Sequence, residues 1–320
     1  MKIKKIYLPL LALFLLGTSF DCYADLELLC EKLKLELCNN RHYSRRSNAS
    51  MPTEQSAFRM NPSAIPTDKG LGIETIMNDG DYNFGVVTGT GRVGAAVGPY
   101  SVDDTFFGNM AIEAVPDYET RMLAGKKYKS QKTVLAGAVN LFNRRLVKVN
   151  VGMAGRYNKY TKNFKTGLGG AVELGIFSFG YSKYKDEFYY ASPDPIIFPS
   201  IAYPYEATIT TFGIKIPYFA IDYSSIVNKL NVTATADLQT TIKLLSATFF
   251  WREWMLTWAS RTEDSYRPAF DFETKLFTDV RQKTETFLGV QYAHKNKLVF
   301  GVFYNYYLLH DYSLGLTWFL

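Results

Sequence analysis

The sequence predicts an all-β chain: a transmembrane antiparallel β-barrel of about 14 strands, preceded by an N-terminal plug or periplasmic segment containing a short helix. Three observations predict it. The last third of the chain alternates apolar and polar residues, strand after strand, and the apolar parity carries no charge. Aromatic residues are abundant (23 Tyr, 23 Phe and 4 Trp), yet after the N-terminal region no apolar run reaches the length of a membrane helix. The chain also stops on an alternating strand, DYSLGLTWFL, with Tyr312, Leu314, Leu316, Trp318 and Leu320 on one face. Chain ends are ordinarily polar and frayed. A soluble sandwich turns a richly charged face outward, so an aromatic face repeated on successive strands is most simply explained by lipid. Strands cross a bilayer only in a closed sheet, since an open edge leaves N–H and C=O groups unpaired in hydrocarbon. A closing strand must pair to its end.

The N-terminus has the pattern of a secretory signal over residues 1–24. Lys2, Lys4 and Lys5 precede an apolar stretch from Ile6 to Leu16, and Cys22-Tyr23-Ala24 supplies the small residue for a cut after Ala24. A membrane helix is disfavoured by the short run and by Pro9. Lipid attachment at Cys22 is disfavoured because Phe20-Asp21 is not a small-residue pair.

Residues 25–69 form a separate segment ahead of the barrel at 70–320. Leu26, Leu29, Cys30, Leu33 and Leu37 follow helical spacing and predict a short amphipathic helix, followed by the polar stretch NNRHYSRRSNAS. Cys30 and Cys38 are the only cysteines after the signal. An oxidising compartment permits a disulfide. On one straight helix, residues eight apart are about 12 Å from each other, too far for a bridge. Either the helix breaks near Cys38 or the thiols stay free.

The strand segments are 70–77, 81–89, 92–98, 133–142, 146–157, 167–175, 177–188, 207–222, 241–250, 254–261, 268–278, 284–293, 298–308 and 312–320. An even number puts both chain ends on the periplasmic side. The long connections 99–132, 158–166 and 189–206 then fall outside, and short ones such as Asn143-Arg144-Arg145 and 294–297 fall inside. The long connection 223–240 breaks this rule, which calls for a longer strand or another count.

Alternation assigns the two faces. Trp254, Leu256, Trp258, Phe270, Phe272, Leu276, Leu288, Val290, Tyr292, Leu298, Phe300, Val302 and Tyr304 point to lipid. The opposite parity puts Asp271, Glu273 and Lys275 in the lumen, with Gln291, Lys148 and Arg156. It also turns Met255, Phe277, Phe287, Phe303, Tyr307 and Phe319 inward. Inward aromatics make poor walls for an ion channel; they suit a lumen packed round a plug or a path for apolar molecules. The outside stretch ASPDPIIFPSIAYPYE, stiffened by Pro193, Pro195, Pro199 and Pro204, could collect apolar ligand or pack over the barrel mouth.

Two stretches resemble known families. The ending from Tyr312 to Leu320 resembles the C-terminal assembly signal of bacterial outer-membrane barrels, except that Phe319 is penultimate and Leu320 is last. That resemblance implies outer-membrane lipid and the barrel-assembly machinery as partners. The stretch EQSAFRMNPSAIPTDKGLGIE carries Asn61-Pro62-Ser63 just before the first strand. It resembles the Asn-Pro-Ala element of FadL-type outer-membrane transporters of long-chain fatty acids and hydrocarbons, with Ser63 departing from the pattern. In that family the N-terminal segment forms a hatch inside a fourteen-stranded barrel. The resemblance implies a plug and a hydrophobic small-molecule ligand. By residues alone, Asn61-Pro62 reads equally as a turn leading into the first strand.

Other signals carry no chemistry. GTGRVG matches the spacing of a dinucleotide fingerprint through Gly89, Gly91 and Gly94, but no helix follows, so it predicts a tight turn between strands two and three. His42, His294 and His310 show no metal-ligand spacing. The sequons at Asn48 and Asn231 require a glycosylation machinery that a bacterial outer membrane does not imply. A formal net charge of +6 spread along the chain does not suggest nucleic acid. No catalytic set, metal site or cofactor motif is readable. The expectation is a non-enzymatic barrel exported to the bacterial outer membrane that passively transports hydrophobic small molecules. A general porin or structural barrel and a barrel enzyme are the alternatives.

Overall fold

The structure, a computed structural model, describes residues 61–65, 69–78, 81–100, 132–144, 147–158, 161–190, 201–216, 218–233, 236–270, 277–294, 297–305 and 311–320. The predicted signal segment, the short helix carried by Leu26 to Leu37, the polar stretch after it, and Cys30 and Cys38 lie outside them. Among the described residues there are fourteen strands: β1 Gly70–Asn78, β2 Asp81–Gly89, β3 Val93–Tyr100, β4 Lys132–Arg144, β5 Val147–Asn158, β6 Phe164–Leu174 and β7 Phe177–Tyr190. They continue with β8 Ile201–Ile216, β9 Phe219–Thr233, β10 Ala236–Trp251, β11 Trp254–Phe270, β12 Phe277–His294, β13 Leu298–Asn305 and β14 Asp311–Phe319. Every neighbour pair is antiparallel and sequential, and β14 closes the barrel on β1.

Closure runs to the last residue. The β1–β14 register goes from Asn78↔Ser313 to Gly72↔Phe319. Beyond it, the Leu320 N–H donates to the Leu71 carbonyl at 2.8 Å and the Leu71 N–H to the Leu320 carbonyl at 3.3 Å. Backbone groups at this seam would have no water to turn to in hydrocarbon, so the strand is paired to its end.

Alternation sorts the side chains as the sequence predicts. Trp254, Leu256, Trp258, Leu288, Val290, Phe300, Val302, Leu316, Trp318 and Leu320 all face outward and are exposed. The outward face is just as apolar on the other side of the barrel, with Leu135, Met153, Leu168 and Phe179. A belt of this kind on every side would aggregate in water and is stable only in a bilayer.

The two rims differ. At the end where β1 begins and β14 ends, here the terminus-bearing rim, each connection is two or three residues long: 90–92, 145–146, 175–176, 217–218, 252–253 and 295–297. The longest connection, 101–131, is at the opposite end. The first short turn is the GTGRVG stretch. Gly91 holds φ 103°, which favours glycine, and the Thr90 N–H donates to the Val93 carbonyl at 2.9 Å.

Three expectations about strands need correction. The segment 207–222 is not one strand but two, because β8 ends at Ile216 and β9 begins at Phe219. The segment 268–278 is not a strand of its own: its start belongs to β11 and its end to β12. These two errors cancel in the count. The long connection 223–240 is instead the body of the β9–β10 hairpin, which removes the conflict with the short-turn rule. The proline-rich stretch also shortens, since Ile201 begins β8 and Pro204 pairs with Glu187 of β7.

Candidate functional site: a turn docked inside the barrel

Asn61 to Ile65 form a compact turn buried in the lumen. Pro62, Ser63 and Ala64 make one 3-10 turn, with proline at its first position, where no N–H is needed. Asn61 is extended and caps the turn. Its Oδ1 accepts from the Ser63 N–H at 3.1 Å and from the Ser63 hydroxyl at 2.7 Å. The Ala64 N–H donates to the Asn61 carbonyl at 3.0 Å. The other end of the same side chain reaches the wall: Asn61 Nδ2 donates to the Gly170 carbonyl of β6 at 3.1 Å. Asn is one of the few side chains that can accept from its own turn and donate to a neighbour at once. Ser63, the departure from the Asn-Pro-Ala pattern, adds a hydroxyl that this Oδ1 satisfies.

The wall beneath the turn is glycine. A Cβ added at Gly152 of β5 would lie 2.4 Å from the Pro62 carbonyl carbon. One added at Gly169 of β6 would lie 2.2 Å from Asn61 Oδ1. Glycine weakens a strand, and its presence inside one often marks close approach of another backbone. Around this seat the apolar inward residues of β3–β6 are small: Ala96, Ala136, Ala138, Ala154 and Ala171, with Val134 the largest aliphatic.

Elsewhere the lumen side is filled differently. Near the rim that holds the termini, Ala220, Phe250, Met255, Ala293, Val299 and Phe319 form one apolar cluster. The Phe319 ring lies over Gly72 of the closing seam, where an added Cβ would approach it to 3.2 Å. Beside it, the Thr317 hydroxyl donates to Glu74 Oε1 at 3.0 Å across the same seam. Phe287 is fully buried on β12, opposite Ala259.

A polar network stands toward the other rim. Arg156 Nη1 of β5 bonds Asp186 Oδ2 of β7 at 2.9 Å, with both side chains buried. The guanidinium lies 4.1 Å from the Tyr184 ring centroid. Tyr184 in turn covers Gly167, where a Cβ would come within 2.1 Å of its ring. At the adjoining loop, Glu187 accepts from the Thr161 hydroxyl, and from Asn163 Nδ2 at 3.0 Å. A buried ion pair of this kind rigidifies its surroundings provided both partners stay.

Of the residues the sequence picks out, Met255, Phe287 and Phe319 are inward and buried, and Asn61, Pro62 and Ser63 are buried against the wall. Tyr312, Leu314, Leu316 and Trp318 lie on the closing strand, and Leu320 pairs just beyond it. Phe277 and Phe303 are on β12 and β13, but their side chains lie outside the described residues. Tyr307, Asp271, Glu273 and Lys275 also lie outside them. Sequence reasoning missed Gly152, Gly169, Tyr184 and Asp186. The run Gly167-Leu168-Gly169-Gly170 was the available signal, since three glycines in one strand need a reason. Among the described residues, no group of three His, Cys, Asp or Glu side chains could hold a metal ion.

No protein-family profile and no curated protein matches the chain. Solved structures similar to it include a porin at 11% identity, covering 79% of this chain and 99% of that one, with a TM-score of 0.42. A CymD monoaromatic hydrocarbon channel is similar at 10% identity, over 88% of this chain and 98% of its own, with a TM-score of 0.44. OmpT of Vibrio cholerae, expressed in the outer membrane, is similar at 12% identity, over 78% of this chain and 96% of its own, with a TM-score of 0.43.

Proposed function

We propose that the chain is a bacterial outer-membrane barrel that passively transports hydrophobic small molecules, long-chain fatty acids among them, through a lumen closed to ions by its N-terminal segment. The observation that carries this reading is the buried Asn61–Ile65 turn seated on Gly152 and Gly169. A general porin keeps an aqueous path, and a segment docked by matched hydrogen bonds in the lumen works against one. The inner wall at Phe250, Met255 and Phe319, with Phe287 beyond it, is apolar and packed, which suits a path for apolar molecules better than one for ions. The Asn-Pro-Ser resemblance supports the same reading. The polar inner residues Asn140, Asn150 and Gln291 favour a second reading, a porin with a constricted polar lumen.

The test uses purified protein in planar bilayers and in liposomes. Low single-channel conductance together with saturable fatty-acid uptake, reduced in Phe287→Ala, supports the transporter. Large, steady conductance without uptake establishes the porin. Low conductance without any ligand leaves a structural envelope barrel.

A further inference from the structure

The rim that holds the termini is basic over more than half of its circumference. Lys297 sits in the β12–β13 turn, Arg252 in the β10–β11 turn, Lys69 before β1, Arg92 in the β2–β3 turn and Arg144 at the end of β4. All five are exposed. In the strand order β10 to β14 and on through β1 to β5 they form a continuous arc. None makes an ion pair with a described residue. The acidic residues at this rim among the described ones are Glu173 and Glu253, both half-buried.

The arc lies at the level of outward aromatics. The Arg252 guanidinium is 5.9 Å from the Trp251 ring centroid, and that of Arg144 is 6.0 Å from Phe142. Trp251, Trp254, Trp318 and Phe300 continue the belt. Such aromatics sit at the headgroup level of a bilayer, so the cations beside them are held at phosphate height. A guanidinium lying on a ring keeps its N–H edge free for an anion. The opposite rim contrasts with this. There Lys183 Nζ bonds Glu206 at 2.7 Å, and Lys185 and Lys229 both stand opposite Glu206 in the ladder.

We infer that this arc is a docking surface for anionic phospholipid headgroups in the leaflet at the terminus-bearing rim, with Arg144, Arg252 and Lys297 as its main contacts. The partner follows from charge complementarity at fixed depth: an arc of exposed cations, without an ion pair among the described residues, at the height of lipid phosphates. It does not depend on what passes through the lumen. Anionic lipid there holds the rim in its leaflet and favours one tilt of the barrel.

The experiment titrates delipidated, folded full-length protein in detergent with phosphatidylglycerol and with phosphatidylcholine, counting bound lipids by native mass spectrometry. The wild type is expected to prefer phosphatidylglycerol. Removing one charge should weaken that preference about fivefold, since each basic residue near an anionic surface contributes on the order of 1 kcal/mol. The triple variant Arg144→Gln, Arg252→Gln, Lys297→Gln should lose it. Lys185→Gln at the other rim should keep it. About 0.5 M salt should erase the wild-type preference, a check that needs no variant. Equal binding of the two lipids by the wild type, or an undiminished preference in the folded triple variant, overturns the inference.

Discussion

The two sides of the inner wall solve the same problem in opposite ways. Along β3–β6, between Asn140 and Asn150 near one rim and Arg156 toward the other, the inward side chains at the seat are glycine, alanine and valine, and the space they leave receives the Asn61–Ile65 turn. Along β9–β14, at the rim with the termini, Phe250, Met255 and Phe319 fill the space themselves. Protein interiors are packed to uniform density, so a wall of small residues calls for a second layer and a wall of large ones excludes it. The location of the turn is thus written in the wall as much as in the turn. The difference teaches that a lumen can be read by side-chain volume, strand by strand, and not only by polarity.

Changes on the self-filled side should cost most. Phe319→Ala removes a buried ring that also covers Gly72, and should destabilise the barrel by about 3–5 kcal/mol in urea unfolding followed by tryptophan fluorescence. The exterior does not share the asymmetry, so Val302→Arg in the lipid belt should cost roughly 2–4 kcal/mol and slow insertion into vesicles. On the seat side the damage reverses in sign of volume. Gly169→Val forces a side chain onto Asn61 and should cost about 1–3 kcal/mol, by overpacking. It should also expose the turn to proteolysis. Asn61→Ala leaves the seat intact but removes the bond to Gly170 and the cap, at about 1 kcal/mol. If Gly169→Val proves neutral while Phe319→Ala does not, the turn is not seated where the wall is small.

Much of this was legible in the sequence, and the failures have physical causes. Trp254, Leu256 and Trp258, or Phe300 and Val302, declare their face because lipid tolerates no charge on it and the period of a strand is two. The closing strand was legible for the same reason. The β8–β9 turn was not, because Pro217-Tyr218 lacks glycine, asparagine or aspartate and apolar residues continue on both sides. Its trace is a phase shift: Phe212 and Ile216 face out on even numbers, Ile221 and Tyr223 on odd ones. The motif Asn61-Pro62-Ser63 could be found, but not its seat. The bond from Asn61 to Gly170 spans 109 residues, and glycine within a strand reads as weakness until a partner is seen. The Arg156–Asp186 pair was half legible: Arg156 was on the inward parity, but its partner lies two strands away.

Single-channel conductance tests the central claim, that the N-terminal segment closes the lumen from its seat on β5 and β6, most directly. It should be measured on the wild type, the Gly152→Val, Gly169→Val double variant and a chain lacking residues 25–69, each shown to be folded by its heat-dependent gel mobility. The account predicts low conductance for the wild type and a clear rise in both altered proteins. A large, steady wild-type conductance that neither alteration changes would contradict it.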